Sequence, residues 1–228
     1  MKKLSILLVA FLFTAGMAFA QNNDASIDQV GDNHDATITQ IGAMNSALVL
    51  QTADDGREGS DVATATIEQE GTGNVAGLRQ RAFYGNAQAT IVQVGDNNRV
   101  EGPNEGTNFY QNHGLNVLDV NMNGDDNVLY GLQGEGQKNA NSLLVSIYGN
   151  SNEVGSFQHY GSADINIDGD LNEVLLSQRS SHPSTEQTAN IDLLGSDNFV
   201  DVFQTGDSHT ATVDVMGSNN SAEISQYN

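Results

Sequence analysis

The side chains that recur at fixed spacing in this sequence are primary amides. Residues 40–51 read Gln-Ile-Gly-Ala-Met-Asn-Ser-Ala-Leu-Val-Leu-Gln, and residues 69–80 read Gln-Glu-Gly-Thr-Gly-Asn-Val-Ala-Gly-Leu-Arg-Gln. Both fit Q-x-G-x-x-N-x-A-x-x-x-Q, eleven residues from Gln to Gln. Looser copies close the chain, with Gly195, Gly206 and Gly217 eleven apart and Gln204 and Gln226 twenty-two apart. A primary amide carries two N–H donors and a carbonyl acceptor, and when buried it must satisfy both sides. An identical amide one strand above and another one strand below does this, provided the strands are parallel and in register. Hydrogen bonding along a stack is the chemistry these residues offer.

Catalytic chemistry finds little footing. The five His, at 34, 113, 159, 182 and 209, lack metal-ligand spacing, and there is no G-x-S-x-G and no phosphate-binding loop. Carboxylates are abundant, but no pair stands out as acid and base. With no cysteine, disulfides and thiolate metal sites are excluded. No cofactor and no enzymatic activity are expected. The formal charge is −21. So acidic a chain avoids nucleic acid and anionic membrane surfaces.

The elements that must position the amides follow from a local period of two. Ala36, Ile38 and Gln40 alternate with Thr37 and Thr39, and Ala222, Ile224 and Gln226 alternate with Glu223 and Ser225. Alternate residues of a strand share one face, so small and apolar groups and a terminal Gln point inward. Gly-containing links such as 41–44 and 205–208 supply turns. Strand, turn, strand, turn makes one coil of about 22 residues, and a fixed period of this kind signals a solenoid. The fold class expected is all-β, a two-sheet parallel β-solenoid of some eighteen strands and roughly nine coils, ~43 Å long.

Counting strands in that order places Gln40, Gln69, Gln93, Gln111, Gln133, Gln158, Gln178, Gln204 and Gln226 in one column on one sheet. The opposite sheet carries Gln29, Gln51 and Gln80, then Met122, Ile147, Ile167, Leu193 and Val215. Six residues earlier lies a column of Asn: Asn127, Asn152, Asn172, Asn198 and Asn220 on the first sheet, and Asn45, Asn74, Asn98, Asn116 and Asn141 on the second. His34 and His209 occupy the same place in their strands. Irregular loops are expected near 52–62, 101–106 and 179–188, and Pro103 and Pro183, the only prolines, fall in two of them.

The eleven-residue unit, with 40–51 as its best copy, resembles the curlin repeat of curli fibre subunits, and the ending at Gln226-Tyr227 is similar to that of the major subunit. The resemblance implies a structural subunit of an extracellular amyloid fibre, a homopolymer serving adhesion and the biofilm matrix. It also implies export through a dedicated outer-membrane secretion pore and assembly on a nucleator or partner curlin subunit. By motif position, the fibre-forming amides carried over are Gln40, Asn45, Gln51, Gln69, Asn74, Gln80, Gln204, Asn220 and Gln226. The chain departs from the family in having more than the usual five repeats, three irregular loops and no clear Gly-rich leader.

Met1-Lys2-Lys3, an apolar stretch to Met17 and Ala18-Phe19-Ala20 mark a secretory signal peptide over 1–20, cut after Ala20. Residues 21–228 then form one solenoid domain, secreted to the cell surface with no stable membrane insertion. The strand 220–226 keeps the full pattern and is expected to be uncapped, docking on the 25–40 end of the next copy. Asp32, Asp96, Asp125, Asp126 and Asp197 in the Gly-Asp-Asn-type links read as turn chemistry, or as charges that delay assembly. The rival readings are a monomeric solenoid binding calcium through its aspartates or ice through Thr37/Thr39, Thr64/Thr66 and Thr210/Thr212, and a minor or nucleator fibre subunit.

Overall fold

The computed structural model describes residues 22–53, 62–82, 85–104, 106–134, 140–180 and 186–228. The signal segment and Ala20 lie outside the described residues, as do 54–61 and 181–185 within two of the expected loops. Among the described residues, no helix is long and apolar enough to cross a membrane.

The described residues form eighteen strands: β1 (Asp24–Val30), β2 (Asp35–Ala43), β3 (Ser46–Ala53), β4 (Ala63–Thr72), β5 (Val75–Ala82), β6 (Ala87–Val94), β7 (Arg99–Glu101), β8 (Phe109–Asn112), β9 (Leu115–Asn123), β10 (Val128–Gln133), β11 (Ala140–Tyr148), β12 (Glu153–His159), β13 (Gly161–Asp168), β14 (Glu173–Arg179), β15 (Gln187–Leu194), β16 (Phe199–Thr205), β17 (Thr210–Met216) and β18 (Ser221–Tyr227). They alternate between two parallel sheets. One has ten strands in the order β1-β3-β5-β7-β10-β12-β14-β16-β18, with β8 also lying between β5 and β10; the other has eight, β2-β4-β6-β9-β11-β13-β15-β17. Since β7 and β8 share one level, the sheets carry nine and eight rungs. The molecule is an all-β, two-sheet parallel solenoid.

Inward positions alternate strictly with outward ones, as in β9 and β11. The shared core is a stack of Ala, Val, Ile and Leu, for example Ile67, Ile91, Val120, Val145, Ile165 and Ile191 along the eight-stranded sheet. Among the described residues, Phe109 is the largest fully buried side chain. Its column neighbours continue to Gly131 and then Ser156, so small residues succeed a large one.

Three expectations need correction. Along the ten-stranded sheet the coil is 22 residues only at Gln29–Gln51, Gln111–Gln133 and Gln204–Gln226; its other steps take 20, 25, 26, 29 or 31, about 25 on average. The sheet assignment also changes partner at residues 98–111. Gln93 stands beside Met122, while Gln111 stands between Gln80 and Gln133. Gln40, Gln69 and Gln93 therefore belong to the eight-stranded sheet, and Gln29, Gln51 and Gln80 to the column of Gln111. The cause is local. A single rung is split into β7 and β8 by an inserted loop, which closes on itself through Gly102 N–H to Thr107 O (2.8 Å) and Thr107 N–H to Asn104 O (3.0 Å). Read in sequence, that split rung mimics an extra turn. The other loops are narrower than 52–62 and 179–188, because Thr52 and Ala53 belong to β3, Arg179 to β14, and Gln187 and Thr188 to β15.

Candidate assembly site: amide ladders and open ends

On the ten-stranded sheet, nine Gln form one unbroken column. Each side chain donates from Nε2 to Oε1 of the next: Gln29 to Gln51 (2.7 Å), Gln51 to Gln80 (2.8 Å), Gln80 to Gln111 (2.8 Å) and Gln111 to Gln133 (3.0 Å). The run continues through Gln158, Gln178 and Gln204 to Gln226. The second Nε2 hydrogen goes to a backbone carbonyl at the head of the preceding strand, as from Gln133 to Val117 O (2.9 Å) and Gln158 to Ser142 O (3.0 Å). Each interior amide is thus satisfied on both sides.

The Asn column of the same sheet is equally continuous. Asn23, Asn45, Asn74, Asn98, Asn127, Asn152, Asn172, Asn198 and Asn220 each offer or receive one link, in which Oδ1 of one Asn accepts the backbone N–H of the next at 2.9–3.1 Å. Their Nδ2 groups donate to the carbonyls of Gly71, Gly95, Gly124, Gly149, Gly169, Gly195 and Gly217. On the eight-stranded sheet the amides are fewer. Gln40 donates to Gln69 and Gln69 to Gln93 before the slot turns apolar, and Asn141 donates to Asn116 (2.9 Å). His34 and His209 reach back to the carbonyls of Val30 (3.2 Å) and Thr205 (3.0 Å), as Asn45 does to Ile41 (3.2 Å).

These carbonyls belong to a feature the motif only hinted at, a glycine spine down one corner. Gly42, Gly71, Gly95, Gly124, Gly149, Gly169, Gly195 and Gly217 all have φ between +106° and +142°, and a Cβ on any of the first seven would strike the next glycine's carbonyl. The sequence signal was present. A Gly two residues on and an Asn five residues on follow Gln40, Gln69, Gln93, Met122, Ile147, Ile167, Leu193 and Val215 without exception. Those eight positions define the eight-stranded sheet. From Gly95 onward, the turn residue after the glycine caps the coil before it: Asp96 Oδ1 accepts from Thr72 N–H (2.7 Å), Asp125 from Asp96 (2.7 Å), Asn150 from Asp125 (2.8 Å) and Asp170 from Asn150 (2.7 Å). Asp126 and Asp197 hold the left-handed turn position, with φ of 58° and 56°.

Among the described residues, no group of three or more His, Asp or Glu is placed to hold a metal ion. The outward threonines stack as Thr37, Thr66 and Thr90 before Asp119 takes the position, and again as Thr188 and Thr210, runs too short for a flat ice-binding array. Side-chain titration is perturbed away from the ladders. Burial, then Glu153 and Glu173, raises the Tyr130 hydroxyl above its ordinary pKa, and burial, then Arg81, lowers His113.

At the two ends the pattern stops with valences open. Within the described residues the outer edges of β1, β2, β17 and β18 pair with no strand. Gln226 accepts from Gln204 and gives one N–H to Thr210 O (3.0 Å), which leaves its second N–H pointing beyond the last rung.

Such an interior defines a class of protein: a parallel β-solenoid whose register is set by stacked amides and whose described end strands carry no strand partner on their outer edges. Two regions, residues 20–52 and 195–227, match the family model of the curlin associated repeat, so the chain carries curlin-associated repeats at both ends of the solenoid. No curated protein and no solved structure matches the chain.

Proposed function

We propose that the protein is a structural subunit of an extracellular, curli-like amyloid fibre, assembled by end-to-end stacking of solenoids. The observation that carries this reading is the state of the terminal rungs. β18 keeps Ala222, Ile224 and Gln226 in the ladder register of β16, with Asn220 just before it linked to Asn198, yet its outer edge and those of β1, β2 and β17 carry no described partner. An open edge with an in-register amide is a template for another strand. A second copy supplies the matching strand, acceptor and apolar stack together.

The fibre serves adhesion and a biofilm matrix, with a dedicated outer-membrane pore for export and a nucleator or partner curlin subunit to start growth; the two repeat matches support these roles by analogy. The acidic surface keeps free chains apart in transit. Incubating the purified protein tests the reading. Fibres with a lag phase, thioflavin fluorescence and a cross-β reflection near 4.8 Å are expected. A chain that stays monomeric at high concentration contradicts it.

A further inference from the structure

The described solenoid has an odd number of half-coils. Its first and last strands, β1 and β18, both lie in the ten-stranded sheet, so that sheet has nine rungs and its partner eight. Resting on the end-to-end stacking proposed above, we infer that successive subunits join with a half-turn about the fibre axis, β1 and β2 of one copy seating on β17 and β18 of the previous one.

Successive half-coils are equivalent in construction. Gln40, in the eight-stranded sheet, donates to Asp24 O sixteen residues earlier, and Gln51, in the ten-stranded sheet, donates to Asp35 O across the same separation. Gln80 and Gln226 repeat the step of sixteen. Each half-coil is thus related to the one before by a half-turn and half a rung. After β18, the next place in the helix lies on the eight-stranded sheet. A translated copy would put β1 on the ten-stranded sheet instead, leaving β17 and β2 two rungs apart, ~9.6 Å instead of ~4.8 Å. The facing backbone groups of those strands, seven and nine residues long, would lose their partners. A half-turn fills every rung.

The terminal corners are built for this exchange. In the interior the two corners of the coil differ, one being the glycine spine and the other the site of the insertions after β3, β10 and β14. At the ends they match. Gly31 and Asn33 have φ of 113° and 62°, against 106° and 56° for Gly42 and Met44. Gly206 and Ser208 have 108° and 59°, against 108° and 59° for Gly217 and Asn219. These same coils take the regular 22 residues.

Side chains agree. With a half-turn, Gln226 aligns with Gln40 and donates to its Oε1, while Tyr227 lies beside Ile41 and Met216 beside Val30. These four are the outward apolar residues at the end of each terminal strand, exposed by 66, 59, 76 and 52 % respectively. The mismatches are Val215 against Gln29, Asp214 against Asp28, and the His34 and His209 positions against Asn220 and Asn23; they are set against two whole strand edges left unpaired by the alternative.

Because the chain has no cysteine, introduced thiols report the contact directly. Neighbouring strands bring Cα atoms within disulfide range, and Ser225, Thr39 and Asp28 are all exposed. Full-length chains carrying Ser225→Cys are co-assembled with chains carrying Thr39→Cys or with chains carrying Asp28→Cys, then oxidised and dissolved. The half-turn predicts a disulfide dimer from the 225/39 mixture at least tenfold above that from 225/28, and a rise of ~41 Å per subunit instead of ~43 Å. Dominant 225/28 dimers overturn the half-turn while leaving end-to-end stacking intact. Fibres with neither dimer overturn both, and so does failure of the unsubstituted chain to form fibres.

Discussion

The side-chain amide of Gln133 donates to that of Gln158 across 3.0 Å, with both residues buried and twenty-five residues apart in the chain. Gln158 donates on to Gln178 at the same distance, so removing one amide strands two others. Gln158→Ala leaves a donor on Gln133 and an acceptor on Gln178 unfilled and opens a cavity. A loss of about 3 kcal/mol is expected in denaturant unfolding. A cost under about 1 kcal/mol would show that the column contributes little to specifying register.

The two corners should respond oppositely to change. Gly149 has φ of +139°, and a Cβ there meets the carbonyl of Gly169. Gly149→Ala is expected to cost more than about 2 kcal/mol, since both conformation and space are lost. Two or three Gly/Ser residues added between β10 and β11, where the chain already lengthens its return, should cost less than about 1 kcal/mol. Thermal unfolding of both variants checks the contrast, and equal sensitivity would contradict it.

Ser156 is a weak point in the core. Its Oγ is buried without a hydrogen-bond partner among the described residues, in a column shared with Gly131 and Leu176. Ser156→Ala removes the unsatisfied hydroxyl and should stabilise the fold by about 1 kcal/mol. Destabilisation in urea titration would mean that the hydroxyl is satisfied in solution.

Acid should act on folding and assembly with opposite signs. His113 has a lowered pKa in the fold, from burial and then Arg81. Its contribution to stability is present above the unfolded value of about 6.5 and is lost as pH falls through the folded value. Neutralising the acids meanwhile removes repulsion between copies, so assembly should quicken as pH approaches the sequence pI of 4.1. Thioflavin kinetics between neutral pH and the pI, beside unfolding curves of the monomer, separate the two. An assembly rate flat in pH removes the role given to the corner aspartates.

Much of this architecture is legible in the sequence, for a physical reason. A stacked amide demands the same residue at the same height in every coil, so Gln and Asn columns leave a period that survives drift at other positions. The inward alternation of Ala36, Ile38 and Gln40 gives the strands, and the prolines mark where no rung can pass. The split rung at 98–111 was not legible, because β7 and β8 together supply one strand's pairing with seven residues of loop between them, and a period count cannot distinguish that from a turn. The glycine spine would have resolved it, since the spacing from Gln93 to Gly95 and Asn98 assigns Gln93 to the eight-stranded sheet. The capping by Asp96 and Asp125 depends on atoms in neighbouring coils, which composition alone does not reveal.

The central claim is that the last rung is a mould for the next molecule, and an inward charge placed there tests it most directly. Ala222 faces inward on β18 but is only half-buried, because no strand covers it. Ala222→Lys lets the ammonium reach solvent in the monomer but buries it in a stack. Elongation of preformed wild-type seeds by this variant should fall at least tenfold while its monomer keeps its circular dichroism and melting temperature. Elongation at the wild-type rate would contradict the account.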